Sequence, residues 1–265
     1  MIIDAHCHVW PDHIAGKVLL SRPAGLDAVN DGTIAGLRAS MEASGVDRAV
    51  CLGVATAART VQRTNEFIGS LDRTCFIPFG TVHPDLTPET NLRSLWDNGI
   101  AGVKLHPLFQ DLSLSDHRVV DLLAALADAQ ITVITHAGAG GDSSANDRGT
   151  PQSLRRLLDT IPSLRLIACH FGGYHRLTEA EEFVVGSQAV LETSWPPRMA
   201  QLDPDRIRKI ITSHGADRVV FGSDWPMADP AAEIAAVRAL GLNAEQEAAI
   251  LGGTLASMLG INDAA

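Results

Sequence analysis

Two kinds of block alternate along this chain. Short, mainly apolar runs recur at 2–8, 49–54, 75–82, 100–106, 131–136, 164–170, 189–194 and 219–224, the first opening on the β-branched pair Ile2-Ile3. Runs of this length suit strands buried on both faces of a parallel sheet. Between and after them lie stretches with the helical spacing of apolar positions, at 33–44, 60–71, 88–98, 119–129, 151–160, 177–185, 203–213, 230–240 and 244–259. The segment 9–32 carries Trp10, His13, Arg22 and several glycines and prolines, and reads as a long polar connection.

Eight strand–helix alternations with one final helix predict an α/β fold, a single (β/α)8 barrel over residues 1–265 with an extra C-terminal helix. The rival is an open doubly wound sheet. Its glycine-rich turn directly after the first strand is absent here. No domain boundary, repeat or low-complexity segment interrupts the pattern.

Composition narrows the partners. With 46% hydrophobic and 20% charged residues among 265, the chain has ample material for one large core. The formal net charge of -10, without a Lys/Arg-rich run, argues against nucleic acid and anionic membrane surfaces, and a small-molecule substrate is the expected partner. Self-association is left open. No apolar run reaches the roughly 20 residues that span a bilayer. Met1 leads straight into Ile2-Ile3-Asp4, and the four cysteines, Cys7, Cys51, Cys75 and Cys169, fall in expected strands as buried reduced thiols. A cytoplasmic protein is the expectation.

Chemistry collects where the strands end, which in such a barrel is where active sites form. The first strand offers His6 and His8, which share a face with Asp4 because strand side chains alternate with period two. The fourth offers Lys104 and His106, the fifth His136, the sixth His170 and the eighth Asp224. Imidazole and carboxylate are the usual ligands of catalytic zinc, manganese or iron(II). His6, His8, His136 and Asp224 form a three-nitrogen, one-oxygen set for one divalent ion, with zinc expected first and manganese or iron as alternatives. Asp224 can also take a proton from an ion-bound water, leaving His170 to polarise the substrate or shuttle a proton.

Five motifs together resemble the amidohydrolase superfamily, and most closely its amidohydrolase-2 branch. They are Asp4-Ala5-His6-Cys7-His8, Gly102-Val103-Lys104-Leu105-His106-Pro107, Thr135-His136-Ala137-Gly138, His170-Phe171-Gly172-Gly173 and Phe221-Gly222-Ser223-Asp224-Trp225-Pro226. The resemblance implies metal ligation by His6, His8, His136 and Asp224, with His170 as catalytic acid/base. Other branches bridge two metals with a carbamylated lysine at the position of Lys104; the expectation here is a buried lysine that supports the site or touches substrate. Gly252-Gly253-Thr254 departs from the branch, where an asparagine often follows the glycines, and this bears on local packing.

Asp4 is placed to orient a ligand histidine. His83 is expected to serve as a turn residue before Pro84, and His13, His117 and His175 to be solvated. Arg22, Arg59 and Arg148 fall in segments overhanging the barrel mouth, where an arginine can grip a carboxylate. Trp10, Trp195 and Trp225 follow strands one, seven and eight and are candidate pocket walls. The leading reading is a hydrolase in which metal-bound water or hydroxide cleaves an amide, lactone or ester. Non-oxidative decarboxylation of an aromatic or unsaturated acid is the alternative that the resemblance brings, and the compact chain favours hydrolysis. A metal-binding protein without catalysis ranks third.

Overall fold

A computed structural model of the protein describes residues 1–21, 27–140 and 143–261. Its eight strands are β1 Ile3–Cys7, β2 Arg48–Leu52, β3 Phe76–Thr81, β4 Gly102–Leu105, β5 Thr132–Thr135, β6 Leu166–Ala168, β7 Val190–Glu192 and β8 Val219–Val220. They form one sheet in sequence order, and β1 lies beside the continuation of β8, Ala5 N–H donating to the Phe221 carbonyl (2.9 Å) and Trp225 N–H to that of His6 (3.1 Å). With its interleaved helices this is the expected (β/α)8 barrel.

The helices are α1 Asp12–Leu20, α2 Ile34–Ser44, α3 Val61–Gly69, α4 Pro88–Asp97, α5 His117–Asp128, α6 Pro151–Thr160, α7 Leu177–Phe183, α8 Pro204–His214, α9 Pro230–Arg238, α10 Ala244–Ala248 and α11 Thr254–Leu259. Four of them open with the same device. Thr87, Thr150, Asp203 and Asp229 each cap a helix through the side chain, and each is followed by a proline whose missing N–H would have had no partner there.

Two elements differ from expectation. Helix α1 lies inside the segment read as a connection, because Pro11 starts a short helix whose only fully buried residue is Ala15, too little apolar signal to show. The final helix is broken at a π-type stretch, Ala249–Gly253, between α10 and α11. A Cβ on Gly252 would lie 2.5 Å from the Met1 carbonyl oxygen, so the bare glycine lets this stretch sit against the start of the chain.

The described chain divides into two compact units, Met1–Cys51, Thr74–Ile77 and Val190–Ala265 in one, Leu52–Arg73 and Pro78–Ala189 in the other. In the first, Ile3, Ala5, Cys7, Val219 and Phe221 build the interior, and Phe221 N–H donates to the Ile250 carbonyl at 2.8 Å. In the second, β4, β5 and β6 pair in register through Val103, Val133 and Leu166, all fully buried. No helix among the described residues is long and apolar enough to cross a membrane.

Candidate functional site

The first unit gathers a cluster on β1, β7 and the segment after β8. His6 is buried, and its Nδ1 lies 3.0 Å from Glu192 Oε2 and 3.3 Å from Ser194 Oγ. The Ser194 hydroxyl donates to Glu192 Oε2 at 2.9 Å, and the Ser194 backbone N–H donates to Oε1. An ionised carboxylate can only accept, so it takes the Nδ1 proton of His6 and leaves Nε2 with the lone pair. That Nε2 stands 3.2 Å from His8 Nε2 and 3.3 Å from Asp224 Oδ1, and His8 Nε2 lies 3.6 Å from the same oxygen. Ligands held about 2.0–2.2 Å from a tetrahedral ion are about 3.3–3.6 Å apart, which is the triangle these three atoms make.

Asp224 adopts a left-handed backbone (φ 62°), a conformation costing a non-glycine residue roughly 1–2 kcal/mol. Asp4 holds the turn that imposes it. Its Oδ1 accepts the backbone N–H groups of His6 and Ser223, each at 3.0 Å, and its Oδ2 accepts the Ser223 hydroxyl. Burial pushes the Asp4 carboxyl up to about 6, against the opposing pull of the Ser223 hydroxyl and the two N–H donors. Glu233 on α9 is also buried. It accepts the Met199 N–H and is pushed up to about 8, chiefly by burial and then by Glu192 and Asp4. Four carboxylates are buried in this unit, while none of its fully buried described residues is a lysine or arginine. Buried carboxylates of this kind are kept by hydrogen bonds, charge partners or a bound metal ion.

The two tryptophans part company. Trp10 stacks on His8 with ring centroids 6.0 Å apart, and it packs against Gly32 (φ 73°), where a Cβ would lie 2.8 Å from the indole. Trp225 is wholly buried and donates its indole N–H to Ser40 on α2 at 3.0 Å, which leaves no exposed ring face for a ligand.

The second unit holds its own histidine cluster at the ends of β4, β5 and β6. His136 Nε2 lies 3.0 Å from the Ala139 carbonyl, which makes Nε2 the protonated nitrogen and leaves the Nδ1 lone pair for a donor or an ion. That Nδ1 is 3.1 Å from His170 Nε2, and the His106 ring stacks on His136 at 4.5 Å. His170, Phe171 and Gly172 follow one another at φ 58°, 53° and 79°, a left-handed turn rather than a strand end. Sparsely populated backbone of this kind concentrates at functional sites. Lys104 is wholly buried, and its Nζ donates to Cys169 Sγ at 3.1 Å. Arg148 is paired with Asp111 at the surface, and its carbonyl accepts the Leu114 N–H.

Among the thinner candidates, His13, His117 and His175 are exposed, as is Arg59, while Trp195 is buried. Arg22 lies outside the described residues. Two partners escaped the sequence reading. Glu192 ends a strand whose other residues are apolar, and a lone acid in that setting was the available signal. Gln110 is buried in the turn after β4, where it accepts the His106 N–H (2.8 Å) and donates to the Ala55 and Val82 carbonyls. Nothing in its neighbours marks it in advance.

Solved structures similar over the whole chain include the following three. An uncharacterised TIM-barrel protein of Bordetella bronchiseptica is 18% identical, with 98% of both chains covered and a TM-score of 0.76. A dihydroxybenzoic acid decarboxylase of Polaromonas sp. JS666, with bound manganese and the inhibitor 2-nitroresorcinol, is 17% identical (99% of this chain, 98% of that one, TM-score 0.75). A Pseudomonas putida protein named as a 2-pyrone-4,6-dicarboxylic acid hydrolase is 20% identical (98% of each, TM-score 0.69). No curated protein matches in sequence. These likenesses are likenesses of fold, and the family rests on the amidohydrolase family model, which matches residues 3–261. The chain belongs to the amidohydrolase family.

Proposed function

We propose that the protein is a metal-dependent hydrolase that cleaves an amide, lactone or ester bond of a small molecule, with one divalent ion held by His6, His8, His136 and Asp224. The observation that carries this reading is the triangle of His6 Nε2, His8 Nε2 and Asp224 Oδ1, with edges of 3.2, 3.3 and 3.6 Å. Its donors suit zinc, manganese or iron(II). When bound, the ion supplies Lewis acidity and lowers the pKa of a coordinated water.

The chain's own groups then divide the work. Glu192 orients His6 by fixing its tautomer, and Asp4 holds the left-handed turn that presents Asp224. Asp224 accepts a proton from the attacking water, while His170 handles the proton on the substrate side. Lys104, whose Nζ donates to Cys169 Sγ, is assigned a supporting role rather than that of a bridging carbamate, in keeping with one ion. Among the described residues no cysteine forms a disulfide, which fits a reducing, cytoplasmic setting.

Decarboxylation is the second reading. It is favoured by neighbours named as decarboxylases, a 5-carboxyvanillate and a 2,6-dihydroxybenzoate enzyme besides the dihydroxybenzoic acid one. Chain compactness does not decide between them, since the matches run across 98–99% of these decarboxylase chains as of the hydrolase chain. The test is product analysis on metal-loaded protein with a panel of lactones, esters, amides and aromatic acids. Incorporation of solvent 18O into product supports hydrolysis, carbon dioxide release supports the lyase, and inertness toward the whole panel contradicts both.

A further inference from the structure

In the second unit, three buried side-chain amides from three different elements hold one short stretch of backbone, Thr81-Val82-His83. Asn65 on α3 accepts the Thr81 N–H (2.8 Å) and donates to the Thr81 carbonyl (3.1 Å). Gln110 donates to the Val82 carbonyl at 2.9 Å. Asn91 on α4 accepts the His83 N–H and donates to the His83 carbonyl, both at 3.0 Å. Burying an amide is unfavourable unless its hydrogen bonds are made, so three of them around three residues fix this stretch rigidly. Gly80 makes room for the arrangement, since a Cβ there would lie 2.5 Å from Asn65 Oδ1.

The stretch presents one group able to do chemistry, the imidazole of His83, two residues past the end of β3. The Asp85 N–H donates to His83 Nδ1 at 3.2 Å, so the neutral ring carries its proton on Nε2. Burial holds the ring below the ordinary histidine range, against the raising effect of Asp85 and with a smaller lowering one from Arg118, which keeps it neutral at pH 7. Nε2 has no protein partner among the described residues. Nor is it one of their sealed, partnerless polar atoms, which are Arg48 Nε, Arg218 Nε and Thr254 Oγ1. It therefore opens to solvent, on a residue just beyond the C-terminal end of a barrel strand, where substrates meet this fold.

We propose that His83 is a substrate-positioning residue whose Nε2–H donates a hydrogen bond to an acceptor oxygen, a carboxylate or carbonyl, of the substrate. This rests on the enzyme reading above and adds a specificity determinant to it.

The test compares metal-loaded wild type with His83→Phe, which removes the donor, and His83→Gln, whose amide nitrogen restores one near Nε2. In 15N-histidine NMR, His83 is expected as the Nε2–H tautomer at pH 7, and its signals should move on adding 2,6-dihydroxybenzoate or 2-pyrone-4,6-dicarboxylate as probes. In kinetics, His83→Phe should raise KM for an acidic substrate about tenfold to a hundredfold, the size of one hydrogen bond to a charged group, with metal content and Tm unchanged. His83→Gln should recover most of that loss. A bare Nε2, signals that neither probe moves, or an unchanged KM in His83→Phe overturns the proposal. If the wild type turns over neither compound, the hydrolase and lyase readings suffer, while the tautomer and the probe-induced signal changes still decide the role of His83.

Discussion

Glu192 Oε2 stands 3.0 Å from His6 Nδ1, and both groups are buried. This contact makes the first histidine of the His-x-His pair a directed ligand, because it commits the proton to Nδ1 and the lone pair to Nε2. Partners of this kind, when altered, typically cost roughly 10- to 100-fold in metal affinity. Glu192→Gln should therefore weaken zinc binding by about that factor in a competition titration, with the fold retained. Unchanged affinity would remove Glu192 from the account.

Asp4 does the corresponding work for Asp224. Truncation to alanine leaves the backbone N–H of His6, the backbone N–H of Ser223 and the Ser223 hydroxyl without their acceptor. Each buried donor left unsatisfied costs about 1–3 kcal/mol, so Asp4→Ala should lose at least ~2 kcal/mol in denaturant unfolding. Asp4→Asn, which keeps an acceptor oxygen, should lose less. An Asp4→Ala protein as stable as wild type would contradict the bracing role.

Glu233 gives a prediction in pH. Its folded value of about 8 lies above the ordinary 4.5, so its favourable contribution is complete below pH 4.5 and is lost as pH rises through 8. Glu233→Gln keeps an acceptor for the Met199 N–H and cannot ionise. The stability of Glu233→Gln minus that of wild type should therefore grow between pH 5 and 9 by a few kcal/mol, at ~1.4 kcal/mol for each pH step of one between the ordinary and folded values. Parallel pH profiles would show that Glu233 carries no such strain.

Much of this was legible from residue order, and the limits have physical causes. Short apolar runs showed the eight strands, buried on both faces, and the helical spacing of apolar positions showed most helices, each of which buries one face. They missed α1, which buries only Ala15, and the break at Gly252, which depends on contact with Met1. The strand runs were read to His170 and Asp224, but both residues sit in left-handed turns past β6 and β8. Apolar pattern carries no signal for a positive φ at histidine or aspartate. The His-x-His pair was visible because its members are close in sequence. Its orienting partner Glu192 is 186 residues away from His6, and only the fold brings the two together. Trp225 looked like a pocket wall by position, whereas its indole turns to Ser40 on α2.

The central claim is one ion whose binding depends on Asp224 and whose chemistry depends on His170. It is tested most directly by metal content and turnover measured on the same preparations of wild type, Asp224→Asn and His170→Asn. Asparagine tolerates the left-handed backbone at both positions, so the folds should survive. Wild type should hold one divalent ion per chain, losing activity to a chelator and regaining it with zinc, manganese or iron(II). Asp224→Asn should lose both metal and turnover. His170→Asn should keep the metal and slow by about 10²- to 10⁴-fold, the usual contribution of a general acid or base. Activity that survives verified metal removal, or a His170→Asn protein that empties of metal, would contradict the account.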